Sequence, residues 1–329
     1  MTNQNNSHNS TRNVAPQSTP GPFASSTVSP ALGATKSFST FNNLKTFGLL
    51  ALMTALFLGV GSMFGKNGFY MALGFAFLMN FVGYWFSDKI ALKMSGAQEV
   101  SREEAPNLHQ MVEEQCARAG LPKPRVYIIP EMAPNAFATG RDPKHSAVAV
   151  TQGLLQLLSR EELEGVMAHE LAHIKHRDIL ISSVAAVLAA ALTHLAQMAM
   201  WFGAGGDEDN PNPLGLVGML LMFILAPIAA MLIQMAISRS REYEADRLGA
   251  EICGNPLYLA NALRRLEAGA QQIPMHADPA MSHMYIVNPL TGANFAKLFS
   301  THPPMAERVA RLETMAQERA ANPYATARA

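Results

Sequence analysis

Charge is scarce in this sequence of 329 residues: only 15% are Asp, Glu, Lys or Arg, and 25 basic residues are balanced by 25 acidic ones. With no basic excess, nothing recommends nucleic acid as a partner. Cysteine is nearly missing as well. Cys116 and Cys253 stand far apart, which excludes a disulfide framework and a thiolate zinc knuckle and leaves two buried thiols. No basic start runs closely into an apolar core, so a cleaved secretory signal is not expected. Residues 1–45 lack apolar periodicity and are rich in Ser, Thr, Asn and Pro, the composition of a disordered tail.

What the chain has in excess is apolar sequence, 49% of residues. It is concentrated in four uncharged runs. Phe47 to Phe64 and Phe69 to Phe86 are each long enough to cross about 30 Å of hydrocarbon as helices, with a turn at Gly65 to Gly68. Ile179 to Phe202 and Leu214 to Ile237 form a second pair, joined by the acidic run Gly203 to Pro213. A buried core hairpin is the competing account of that second pair. Lys89, Lys93, Arg102, Lys175, Arg177, Arg239 and Arg241 flank one side of the four spans, and Asp207, Glu208 and Asp209 lie on the other. The excess of basic residues marks the cytoplasmic side, so both termini are expected there. The expected organisation is a tail (1–45), a transmembrane hairpin (46–88), a first catalytic part (89–178), a second hairpin (179–237) and a second catalytic part (238–329).

Between the hairpins lies His169-Glu170-Leu171-Ala172-His173. Residues four apart on a helix stand one above the other, so His169 and His173 can aim ring nitrogens at one metal ion, while Glu170 reaches a metal-bound water without ligating the metal. Ser159 followed by Glu162 reads as a capping box that starts this helix. A hydrolytic zinc keeps three protein ligands, and the variant with a third histidine on the same segment is excluded by His176 and Ile179 at the positions it would need. The best candidate is Glu242, just beyond the fourth span. Asp246 shares its helix face with the small Ala245 and Gly249, which would let this helix approach the zinc helix closely. Asp246 would accept a hydrogen bond from the non-ligating nitrogen of a zinc histidine. A solvated helix face is the bland alternative for both acids.

With these residues the chain resembles the HtpX membrane metalloproteases, relatives of the CAAX prenyl endopeptidases. The resemblance runs from Phe47 to Leu312 through the four hydrophobic segments, Asn135-Ala-Phe-Ala-Thr-Gly140, Ala147 to Leu155, His169 to His173, Arg241-Glu-Tyr-Glu-Ala-Asp246 and Thr301-His-Pro-Pro304. The long N-terminal tail departs from the family's short one. The resemblance implies one Zn2+ held by His169, His173 and Glu242, with Glu170 as catalytic base. It also implies proteolysis of misfolded membrane proteins in the bacterial inner membrane. His302 is placed near the metal by the same resemblance, where it would stabilise a developing oxyanion; a structural cap competes with that role.

Ala147, Val148, Ala149 and Val150 alternate small and β-branched residues, as a strand whose free edge could clamp an extended peptide. An interior strand is equally consistent with the pattern. Asn135, in the loop before it, would bond substrate backbone or stabilise a turn. The expected fold class is α+β, mostly α-helical: four transmembrane helices and a zincin-like catalytic domain with a small β-sheet. The expected activity is zinc-dependent hydrolysis of polypeptides at a lipid bilayer. A membrane scaffold or chaperone-like binder with a degenerate metal site is the alternative, separable by zinc content and casein cleavage.

Overall fold

The protein is described here by a computed structural model covering residues 32–62, 65–203, 228, 238–275, 277–289 and 303–322, with the side chains of residues 32–41 and 195–203 left aside. Two long helices open it, α1 (Leu32–Ser62) and α2 (Gly65–Met94), which pack against each other. Asn42–Ser62 of α1 and the whole of α2 are long and apolar enough to cross a membrane. Their large side chains face outward: Tyr70, Met71 and Phe77 are 67%, 77% and 75% exposed, the surface expected of a helix whose solvent is hydrocarbon. Inside the hairpin, Asn80 donates to the Thr54 hydroxyl at 2.7 Å, a polar tie between apolar helices.

Two expectations change at this hairpin. Helix α1 begins at Leu32 rather than near residue 46, so part of the segment read as tail is helical. Gly65 to Gly68, expected as the turn, form the first turn of α2.

Beyond α2 the chain lays down a four-stranded sheet from β1 (Gln98–Glu99), β2 (Arg125–Ile129), β3 (Ala136–Gly140) and β4 (Ser146–Thr151). Helix α3 (Pro106–Ala119) is inserted between β1 and β2. The strand order is β1-β2-β4-β3, with β4 parallel to β2 and antiparallel to β3. Strand β4 is therefore interior. Both of its edges are paired, so Ala147, Val148, Ala149 and Val150 have no free edge to offer a peptide, and β1 and β3 are the edge strands. All six residues of β4 are buried, which is why small and β-branched residues alternate there without marking a clamp.

A short helix α4 (Gln152–Leu157) leads into α5 (Arg160–His176), the helix that carries both site histidines. The capping box forms as the sequence predicts: Ser159 accepts from the Glu162 amide and the Glu162 carboxylate accepts from the Ser159 amide. Helix α5 ends on Arg177, which at φ 56° is the one non-glycine residue with positive φ among the described residues. There the chain bends by 91° into α6 (Ile179–Gly203). The first half of α6 is enclosed by the protein, with Val184, Ala185, Ala186 and Leu188 fully buried. The proposed fourth span, Leu214 to Ile237, lies outside the described residues apart from position 228.

Helices α7 (Arg239–Cys253) and α8 (Pro256–Gln272) return to pack on α5, and α9 (Met305–Ala321) closes the bundle against α8 and α7. Glycine makes two of these contacts possible. A Cβ on Gly249 would meet the backbone of His169 at 2.9 Å, and one on Gly165 the backbone of Leu259 at 2.5 Å. Small residues on the Glu242 face thus let α7 touch the backbone of α5, the close approach that the sequence anticipates. One continuous core joins α3, the sheet, α5, α7, α8 and α9 through residues such as Val112, Val148, Met167, Leu171, Ala245 and Leu263.

Candidate metal centre

Helix α5 presents His169 and His173 one turn apart, and α7 brings Glu242 against them. The two Nε2 atoms are 3.1 Å apart, and each lies 3.8 Å from a Glu242 carboxylate oxygen. One ligand atom from each of the three residues falls within 4.8 Å of the others. Ligands about 2.0–2.1 Å from a tetrahedral ion stand about 3.3 Å from one another, and the observed separations bracket that value.

The chemistry of the donors fits an ion equally well. His169 Nδ1 is 3.0 Å from Asp246 Oδ1, and His173 Nδ1 is 3.0 Å from Asp178 Oδ2. Asp178 bonds His173 Nδ1 and holds a proton there, while Asp246 stands at ion-pair distance behind His169, so both Nε2 atoms face the same small space. Two lone pairs so directed repel unless a cation sits between them. Electrostatics agree: burial works against charge on His173, yet Asp178, Glu242 and Glu170 outweigh it and push its pKa up to about 10. The pocket calls for a positive charge at this point. Burial pulls His169 the other way, lowering its pKa despite Asp246.

Glu170 lies one residue along the helix, 2% exposed, with the backbone N–H of Ala138 on β3 donating to its carboxylate. Burial raises its pKa to about 7, with the charge of Glu242 adding to the shift. It is a carboxylate poised to give and take a proton near neutrality.

Two functional residues lie beyond those the sequence singled out. Asp178 stands at the α5–α6 bend, five residues after His173; an acid just before an apolar helix is the one sequence signal that could have found it. Arg308, on α9, is fully buried and clasps Asp246 with two hydrogen bonds, Nε to Oδ2 at 2.9 Å and Nη2 to Oδ1 at 2.7 Å. No local pattern announces a partner 62 residues away.

The expected substrate contact of Asn135 is not what its side chain does. It is 2% exposed; Nδ2 donates to the Val287 carbonyl at 2.8 Å, and Oδ1 accepts from the amides of Val287 and Ala136. Asn135 pins the segment around Val287 to the sheet, where the Ile286 amide also donates to the Ala136 carbonyl at the outer edge of β3. His283, Met284, Tyr285 and Ile286 thereby roof the site, and the cavity left before the ligands is about 40 Å³. That is room for a few waters, not for a peptide. Glu244 pairs with Arg247 at the surface, as its position on the helix predicts. His302 lies outside the described residues.

Comparison with known proteins gives the family. The sequence profile of Peptidase family M48 matches residues 102–316. A protein described as "Protease HtpX homolog" from Persephonella marina is 57% identical over 282 residues, covering 84% of this chain and 98% of the relative. Another of the same description from Desulfatibacillum aliphaticivorans is 58% identical over 275 residues, 82% of this chain and 89% of the relative. A third, from Ralstonia nicotianae, is 55% identical over 282 residues, 84% and 98%. The crystal structure of S. mikatae Ste24p aligns at a TM-score of 0.45 and 16% identity over 84% of this chain and 67% of that one, too remote to add to this. The chain belongs to peptidase family M48, a family of metallopeptidases, and within it to the HtpX-type proteases.

Proposed function

We propose that this chain is a zinc-dependent endopeptidase of the bacterial inner membrane, with its site at the cytoplasmic face, acting on misfolded membrane proteins. The observation that carries the reading is the convergence of His169 Nε2, His173 Nε2 and the Glu242 carboxylate on one point with Glu170 beside it. When bound there, zinc supplies Lewis-acid polarisation of the scissile carbonyl and of the attacking water.

The chain's own residues do the rest. Glu170 takes the proton of the attacking water and returns it to the leaving amine, a role its pKa near 7 suits. Asp246 and Asp178 keep the two imidazoles in the tautomer that turns Nε2 inward. The buried walls exclude bulk water, which strengthens each of these interactions. By the family resemblance His302 would stabilise the developing oxyanion, with a structural cap as the competing role. The two apolar helices hold the site against the bilayer, and the basic residues at the end of α2 and before α6 set its orientation.

Casein cleavage by the purified full chain tests this. Glu170→Gln should keep its zinc and lose about 10²–10⁴-fold in hydrolysis, the usual contribution of a general base. Cleavage at the wild-type rate by this variant would refute the assignment, and absence of both zinc and cleavage in the wild type would favour a scaffold.

A further inference from the structure

The candidate site is crowded with acid. Glu170, Asp178, Glu242 and Asp246 are all buried within it, exposed by 2%, 3%, 7% and 4%. A divalent ion and neutral histidines leave that group short of positive charge, and buried carboxylates without a counter-charge are costly. Two buried arginines answer them: Arg241 acts on Asp178, and Arg308 is placed among the other acids. Its guanidinium is 0% exposed and fans out over three elements. Nε and Nη2 form a fork on Asp246. Nη1 lies 3.8 Å from Glu242 Oε2 and donates to the Ile286 carbonyl at 3.4 Å. Nη2 also stands 3.4 Å from His169 Nε2. Asp246 in turn faces His169 Nδ1 at 3.0 Å.

We infer that Arg308 is a positioning residue for the metal site: by clasping Asp246 it fixes the ring of His169 and the approach of Glu242, and through the Ile286 carbonyl it ties that ligand set to the roof of the cleft. The inference rests on the metallopeptidase reading. The Arg308 guanidinium stands beside the ligand atoms, Nη2 3.4 Å from His169 Nε2 and Nη1 3.8 Å from Glu242 Oε2, where it holds the ligands rather than reacting. Its two shortest bonds go to Asp246, which stands against Nδ1 of the same His169 ring.

The choice of arginine follows from geometry. Two parallel N–H groups match two carboxylate oxygens, and a third N–H remains for a carbonyl. A lysine in this place could neutralise the charge but could not hold Asp246 by both oxygens and Ile286 at once. An arginine serving only to anchor α9 would need no contact with the ligand-bearing face of α7, yet its two shortest bonds are made there.

The test is metal affinity of the detergent-purified full chain, measured by competition with a chromophoric chelator for Zn2+ and by the visible absorption of bound Co2+, which reports ligand geometry. Loss of an outer residue that orients a ligand weakens metal binding 10–100-fold. Arg308→Met should do so, with an altered Co2+ spectrum. Asp246→Asn should have a similar effect, and the double variant should be little worse than either, because both act along one path. Arg308→Lys, which retains charge, should fall between wild type and Arg308→Met, and it decides the matter if Arg308→Met fails to fold. Wild-type affinity and an unchanged Co2+ spectrum in Arg308→Lys and Arg308→Met, or additive losses in the double variant, would overturn the inference. Absence of tight metal binding in the wild-type chain would instead refute the metallopeptidase reading on which it rests.

Discussion

The hairpin α1–α2 and the bundle around α5 bury opposite things. In the hairpin, large apolar side chains such as Phe77 and Met71 face outward while Asn42, Thr46 and Asp88 are hidden, at 1%, 2% and 7% exposure. In the bundle, apolar side chains fill the interior, and the buried carboxylates Glu170, Asp178, Glu242 and Asp246 gather with Arg308 around His169 and His173. Hidden polar groups are costly unless satisfied, so each set marks a duty. In the hairpin the duty is joining. Asn42 donates to the His176 carbonyl at the end of α5, and Asp88 pairs with Arg125 on β2 at 3.1 Å. In the bundle it is chemistry. The comparison teaches that burial of polarity, not apolar density, locates function in this chain.

The comparison can be broken at its strongest point first. Glu242→Ala should abolish tight zinc binding and peptide hydrolysis together, since two histidines alone make half a site; retention of both would remove α7 from the account. Asp178→Asn should lower zinc affinity about 10–100-fold while leaving the helix content of the protein unchanged by circular dichroism. The pH profile comes next. Burial raises the Glu170 pKa to about 7, and only the carboxylate can accept a proton. Activity should therefore fall as pH drops, about tenfold per unit below the midpoint, and bound zinc should bring that midpoint to 7 or lower by stabilising the carboxylate. A profile rising toward acid would contradict the role. Asn42→Ala should cost about 1 kcal/mol of thermal stability with little change in hydrolysis per folded molecule. Phe77→Leu, on the lipid-facing surface, should change stability by less than about 0.5 kcal/mol in a bilayer.

What was legible in the sequence was whatever repeats locally. The His169–His173 spacing, the Ser159–Glu162 box, and Glu242, Ala245, Asp246 and Gly249 on one helix face all follow from a 3.6-residue period, and the structure assembles them as that period requires. What failed depended on partners distant in the chain. Alternation in Ala147–Val150 shows a strand but not who flanks it, and β2 and β3 both do. Asn135 looked free because its partner, Val287, is 152 residues away. Arg308 looked like any arginine on an amphipathic helix, since nothing near it in sequence says that Asp246 waits in the core. The start of α1 was hidden by polar residues, two of which, Asn42 and Thr46, are polar because they face the bundle rather than lipid.

The central claim is that two neighbouring helices grip one divalent ion for hydrolysis. Zinc stoichiometry of the detergent-purified full chain, followed through chelation and re-addition alongside casein cleavage, tests it most directly. The account predicts one zinc per chain, loss of cleavage as the ion is stripped, and recovery as it is restored. Undiminished cleavage by chain stripped of all metal would contradict it.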